Sequence, residues 1–343
     1  MKARNEMNVK ETGRMGSTLL EIRDLRTHFV TDQGEIPAVD GMDLVIHQGE
    51  IVGVVGESGC GKSVTSLSVM RLIPQPPGKY AGGSILFKGE DLVQAKEKRM
   101  KQIRGDEISM IFQEPMTSLN PLLTIGDQIV ETLRAHRSMS RKEASSQALE
   151  MLKKVGISRA ETILRGYPHQ LSGGMRQRVM IAIALCCEPE LLIADEPTTA
   201  LDVTIQAQIL DLMKKLNEET GTAIMMITHD LGVVAEVCHR VVVMYAGKVV
   251  EEGTVREIFE KPRHPYTQGL IRSIPKIEED VKRLYSIPGN VPKPGSVKEG
   301  CRFAARCEHV MDKCLHSLPE LVPTTSPGHR SRCWLNTIEE VAN

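Results

Sequence analysis

The chain has no excess of charge of either sign. Its 43 basic and 44 acidic residues leave a formal net charge of −1. That balance gives no reason to expect a nucleic acid or an anionic membrane surface as partner. Long apolar runs are also missing: none approaches the roughly 18 residues that a membrane-crossing helix needs. The opening stretch, Met1 to Gly16, is polar and charged and lacks the apolar core of a secretion signal. Residues 1–18 are therefore expected to form a flexible tail, the protein to be cytoplasmic, and any membrane attachment to run through partners. No internal repeat and no heptad run are present. A hydrophobic fraction of 41% with 25% charged residues is ordinary for a globular protein. A length of 343 residues can hold one large domain and an appendage.

What is there begins with Gly56-Glu57-Ser58-Gly59-Cys60-Gly61-Lys62-Ser63, which follows the apolar run Ile51-Val52-Gly53-Val54-Val55. It fits G-x-x-x-x-G-K-[ST] without mismatch. A strand, a glycine-rich loop and a helix start form a phosphate cradle: backbone N–H groups converge on the anion and the helix N-terminus adds its positive end. Lys62 is expected to reach the β- and γ-phosphates, and the Ser63 hydroxyl to ligate Mg²⁺.

The second element is Leu191-Leu192-Ile193-Ala194-Asp195, an apolar run ending in an acid, as a buried parallel strand does. Asp195 at its tip can hold the Mg²⁺ shell. Glu196 follows, where a general base polarises the attacking water. These elements predict an α/β fold with a phosphate-loop nucleoside triphosphatase core.

About twenty residues before Asp195 stands Leu171-Ser172-Gly173-Gly174-Met175, opening a helical stretch to Leu185. A serine and two glycines at a helix start make a second anion site. One triphosphate does not need two such sites, but two chains paired head to tail do. Here the chain resembles the ATP-binding cassette (ABC) family, whose signature motif this is. The family's usual fifth residue is glutamine, and Met175 departs from it.

The resemblance implies further roles. ATP is bound by Phe29, stacked on adenine, and by Gly56, Glu57, Ser58, Gly59, Cys60, Gly61, Lys62, Ser63 and Val64. Because aromatics are only 3% of the chain, Phe29 stands out, though a core role is open to it. Gln113 contacts Mg²⁺ and the attacking water, and His229 contacts the γ-phosphate. Catalysis is thus carried by Glu196, His229 and Gln113, with Mg²⁺ on Ser63, Gln113 and Asp195. Ser172, Gly173 and Gly174 cover the partner's ATP, and Asp202 belongs to a loop facing the opposite cassette. A coupling helix of a membrane subunit docks around Gln113 and Glu114.

The coarse organisation follows. Leu19 to about Ile46 alternates like a small antiparallel sheet, and Ile51 to Gln113 carries the first part of the nucleotide core. Residues 115 to about 180 form a helical subdomain carrying the signature. Within it Ser140-Arg141-Lys142-Glu143 is a capping box, followed by Ala144, Ala148, Leu152 and Val155 at helical spacing. Val241–Tyr245 and Lys248–Glu251 form a hairpin-like pair. The cassette spans residues 19–260. From Pro262 onward prolines recur and break any long helix, so residues 261–343 are expected to be a separate folding unit.

Cys301, Cys307, Cys314 and Cys333 lie in that region with spacing C-x5-C-x6-C-x18-C. A cytosolic chain disfavours disulfides, and so short a segment builds little core of its own, so a metal staple is expected. Zinc usually takes closer cysteine pairs; a [4Fe–4S] cluster needs four converging thiolates and accepts wider spacing. The cluster is the leading reading, with Zn²⁺ and free thiols or disulfides as alternatives. The other four, Cys60, Cys186, Cys187 and Cys238, read as small buried hydrophobes.

Gln113 to Pro121, Arg263-His264-Pro265-Tyr266-Thr267, Ile287-Pro288-Gly289, Gly300-Cys301-Arg302-Phe303 and Arg306-Cys307 resemble the oligopeptide and dipeptide importer ATPases. That resemblance covers about residues 19 to 335. It implies ATP hydrolysis coupled to peptide uptake at the cytoplasmic face of the cell membrane. The implied partners are a second, homologous ATPase (a heterodimer), two membrane permease subunits and, indirectly, an extracytoplasmic substrate-binding protein, with no nucleic acid. Importers for nickel, metal chelates or glutathione use the same kind of subunit. A soluble cassette ATPase acting on DNA or ribosomes is a remote alternative.

Overall fold

The computed structural model describes residues 16–32, 34–113, 118–199, 201–275, 285–324 and 326–339. Most of the expected N-terminal tail, the peptide Glu114-Pro115-Met116-Thr117 and Ala200 lie outside them.

Two sheets organise the described residues. The first is antiparallel, in the order β2(Gly34–His47), β1(Thr18–Thr31), β4(Gly78–Phe87), β5(Glu90–Asp91). The expected small sheet is there, but residues 78–91, read from sequence as nucleotide core, belong to it. Ile22 pairs with both Leu44 and Ile85. The alternation Leu20, Ile22 and Ile85, Phe87 points one face into a common core.

The second sheet runs β11(Val322–Pro323), β12(Arg330–Ser331), β10(Lys248–Thr254), β9(Arg240–Tyr245), β3(Ile51–Val55), β8(Ala223–Thr228), β7(Leu191–Asp195), β6(Ile108–Ile111). From β9 to β6 the pairings are parallel. β3, β7 and β8 are buried at every residue. That is why they read as continuous apolar runs: layers cover both faces. One layer is the antiparallel sheet, which shares a core with Val52, Val54, Ile193 and Ile227. The other is helical: helices Ile125–His136, Arg141–Lys154 and Gly173–Leu185 share a core with Leu192, Ile224 and Met226.

The helical segment forms as its sequence demands. Ser140 and Glu143 make the reciprocal capping box, and Ala144, Ala148, Leu152 and Val155 are fully buried. β9 and β10 form the expected hairpin, with Lys248 opposite Tyr245.

The C-terminal region is not a separate unit. β12 pairs with β10 and so extends the main sheet. Tyr266 and Phe303 sit in one core with Val55, Val241 and Val243. Arg302 pairs with Asp40 and donates to the Ala246 carbonyl. Proline blocks long helices there, as expected, but short segments dock onto the cassette because the cassette offers them an open sheet edge and apolar rings.

Candidate active site

The five parallel strands end level with one another. Val55 is opposite Thr228, Asp195 opposite Ile227 and Ile111 opposite Ala194. Ligands in such sheets bind beyond the carboxyl ends of the strands, and Ser63, Gln113, Asp195, Glu196 and His229 gather there.

The loop after β3 is glycine-dependent at two positions. Gly56 has φ +152°, and a Cβ there would lie 2.3 Å from the Met244 carbonyl oxygen. Gly61 has φ +104°, with a Cβ 2.6 Å from the Ala38 carbonyl oxygen. Only glycine fits either backbone. The helix Lys62–Val69 starts directly after, and its first turn carries no acid. Lys62 is buried, and its ammonium donates to the Gly56 carbonyl at 2.7 Å and the Glu57 carbonyl at 3.1 Å. The ammonium therefore lies within the loop it is expected to serve.

The Ser63 hydroxyl donates to Asp195 Oδ1 at 3.2 Å, and Ser66 donates to Oδ2 at 3.4 Å. Burial pushes the Asp195 carboxyl up, and the neighbouring Glu196 charge adds to this against the Ser63 and Ser66 hydrogen bonds. A divalent cation between Ser63 and Asp195 would relieve that cost, so these donors suit Mg²⁺.

Glu196 turns out of β7 with φ +49°, in the left-handed region that non-glycine residues rarely enter. Its N–H donates to the Ile227 carbonyl at 2.9 Å. The turn aims its carboxylate at three partners: Gln113 Nε2 at 3.0 Å, Thr199 Oγ1 at 2.9 Å and His229 Nδ1 at 3.2 Å. Burial pushes this carboxyl up, but the His229 and Thr199 bonds, with the His229 and Lys62 charges, outweigh it and hold it below the usual carboxylate range. Glu196 is therefore ionised at neutral pH and able to take a proton. Thr199 is a partner that sequence reasoning missed; a threonine in a Thr-Thr pair gives no local signal.

Ser172, Gly173 and Gly174 stand apart from this cluster. Ser172 is exposed and caps the helix Gly173–Leu185, accepting from the Met175 N–H at 3.4 Å. The nearest side chains to the two glycines are Leu201 and Ile205. Asp202 caps the helix Val203–Thr220 by accepting from the Ile205 N–H at 2.9 Å. Phe29 is half-buried on β1, with its ring edge over Gly78.

Comparison with known proteins decides the family. The chain matches the family described as ABC transporter over residues 39–199. It also matches the oligopeptide/dipeptide transporter C-terminal region over 250–314. It is 57% identical to the oligopeptide transport ATP-binding protein AppD of Bacillus subtilis, over 93% of this chain and 97% of that protein. The chain belongs to the ABC transporter ATPases. This ABC ATPase is also 51% identical to the dipeptide transport ATP-binding protein DppD of the same organism, over 92% of this chain and 94% of the other. Among solved structures it resembles a dimeric ATP-binding cassette in a post-hydrolysis state bound to ADP and Pi. The identity is 31%, the TM-score 0.63, and the match covers 69% of this chain and 99% of that one. The ATPase has no described helix long and apolar enough to cross a membrane.

In the C-terminal region Cys301, Cys307, Cys314 and Cys333 line one cavity with His264, Phe303 and Trp334. Burial pushes the Cys301 and Cys307 thiols up, and lifts Cys333 to about 12, with Cys301, Cys307 and Cys314 each adding to the last. Among the described residues no group of three or more His, Cys, Asp or Glu side chains is arranged to hold a metal ion.

Proposed function

We propose that this ABC ATPase powers uptake of di- and oligopeptides from the cytoplasmic face of the cell membrane. The observation that carries the reading is the convergence of Ser63, Asp195, Gln113, Glu196 and His229 at the strand ends, in a chain whose C-terminal region is of the peptide-transporter type. The ATP-binding domain is residues 19–260, with its helical part at about 115–180, and the C-terminal region is 261–343.

Lys62 swings from the Gly56 and Glu57 carbonyls to the β- and γ-phosphates, and the loop 56–64 wraps the triphosphate. Phe29 stacks on adenine. Ser63, Gln113 and Asp195 would hold Mg²⁺, which would offset the charge of the phosphates. Glu196 takes the proton of the attacking water, and His229 bonds the γ-phosphate oxygen. Ser172 and Gly173, which are exposed, and Gly174 beside them close over the ATP of a second cassette, and Asp202 lies in that interface. The second cassette is a different chain. The pair sits on two permease subunits, which receive peptide from an extracytoplasmic binding protein. Exposed Phe112 beside Gln113, and Leu122, 84% exposed, support a permease contact there.

Cys301, Cys307, Cys314 and Cys333, which line one cavity, would have to draw together to hold a [4Fe–4S] cluster or, as the alternative, Zn²⁺. The cluster would supply a covalent staple for the short C-terminal segments.

The test is reconstitution of the chain with its permease pair and partner ATPase in vesicles. ATP-driven uptake of labelled peptides, lost on Lys62→Ala, is expected. Uptake of Ni²⁺, a metal chelate or glutathione in place of peptides would overturn the cargo assignment and leave the ATPase role standing.

A further inference from the structure

The C-terminal region reaches the phosphate loop through one side chain. Arg306 ends the short turn Ala304–Arg306, between Cys301 and Cys307. Its side chain is 4% exposed. The guanidinium forks onto the Glu57 carboxylate, Nη1 to Oε2 at 2.7 Å and Nη2 to Oε1 at 3.1 Å. Nε donates to the Pro288 carbonyl at 2.8 Å, Nη2 also to the Ile287 carbonyl at 3.3 Å, and Nη1 also to Tyr245 Oη at 3.2 Å. All five N–H donors of the group are engaged. Its carbon lies 5.8 Å from the ring centroids of both Tyr245 and Phe303. A guanidinium so enclosed cannot swing away at low cost.

Glu57 is the second residue of the phosphate loop, and it is held at three points. Arg306 grips its carboxylate. Its backbone N–H donates to Tyr266 Oη at 2.9 Å. Its carbonyl accepts from Lys62 at 3.1 Å. The loop's left-handed glycines at 56, 59 and 61 leave it little stiffness of its own. A free carboxylate in this loop would also repel a triphosphate.

We propose that Arg306 is a positioning residue for nucleotide binding. It fixes Glu57, so the loop keeps the shape of a cradle, and it cancels a negative charge beside the triphosphate. Arg306 touches no phosphate in this role. The C-terminal region thereby becomes part of the nucleotide site. The inference rests on the assignment of residues 56–63 as the ATP cradle.

The test uses the full chain, titrated with a fluorescent ATP analogue, together with amide hydrogen exchange of residues 56–63. Arg306→Met should weaken nucleotide binding about tenfold, the loss expected for a charge-assisted fork. It should also speed exchange in the loop while β3 stays protected. Arg306→Lys keeps the charge without the fork and should recover part of the affinity. Adding Glu57→Gln to Arg306→Met should recover part of it, because the unpaired carboxylate is gone while the fork stays lost; a residue that served only the fold would show no such rescue. Wild-type affinity and exchange in Arg306→Met would overturn the proposal. So would a loss that Glu57→Gln leaves unrelieved, with exchange rising across the whole sheet. If Lys62→Ala left the affinity unchanged, the cradle assignment itself would fall, and the brace with it.

Discussion

Replacing Glu196 by Gln separates chemistry from binding at this site. The carboxylate has three partners, Gln113, Thr199 and His229, at 2.9–3.2 Å. Gln has the same length and one carbonyl oxygen, so it can still accept from Thr199. Its amide can donate to His229 Nδ1 once that ring carries its proton on Nε2. Gln113 donates to the same oxygen, Oε2, as Thr199, so the retained carbonyl oxygen can accept from both. Fold and ATP affinity should therefore change little. The amide cannot take a proton, whereas the native group, held ionised by its neighbours, can. Removing general-base assistance costs about 10²–10⁴ in rate, or about 3–5 kcal/mol of barrier. The assay is single-turnover phosphate release from the assembled transporter, with the partner's own site first disabled. The expected outcome is a chain that binds ATP near normally, accumulates in the closed, loaded form and hydrolyses it at least a hundredfold more slowly. Turnover within tenfold of the native rate would refute Glu196 as base. Loss of ATP affinity in step with turnover would show that its role is structural.

Three further outcomes are expected. Burial pushes His264 down to about 4, against Glu251 and together with Arg332. Between that value and the ordinary one of about 6.5 the unfolded chain holds more protons, so this contribution is complete above about 6.5. It is lost as pH falls to about 4, up to about 3 kcal/mol. Urea melts of His264→Gln should show less loss over that window than the native chain, and parallel pH dependences would refute the assignment. Anaerobically purified protein should be brown with about four iron and four sulfide per chain, and Cys307→Ser should bleach it. One zinc per colourless chain would exchange the metal and keep the ligands, while freely alkylated thiols in the folded state would remove both. Purified alone, the chain should show weak, non-cooperative ATPase activity that rises when the partner cassette and permeases are added; full activity in a verified monomer would refute a site shared between two cassettes.

The candidate nucleotide site was legible because its parts are local. A cradle needs its glycines and lysine within one loop, and Gly56 and Gly61 have backbones that only glycine fits. The apolar runs ending at Val55, Asp195 and Thr228 announced buried parallel strands. The capping box at Ser140 needs only residues three apart. Thr199 was not legible, since its value lies in a bond to Glu196 that depends on the turn after β7.

The sequence by itself thus determined the cassette, its catalytic candidates and the clustering of four cysteines, because short-range spacing and apolar periodicity carry that information. Only the tertiary structure decided that residues 78–91 join the antiparallel sheet and that Arg330–Ser331 adds to the main one. It alone brought Arg306 onto Glu57, 249 positions away in the chain. Pairing of strand edges and of distant charges is settled by which surfaces remain open after the core has packed, and no local pattern records that.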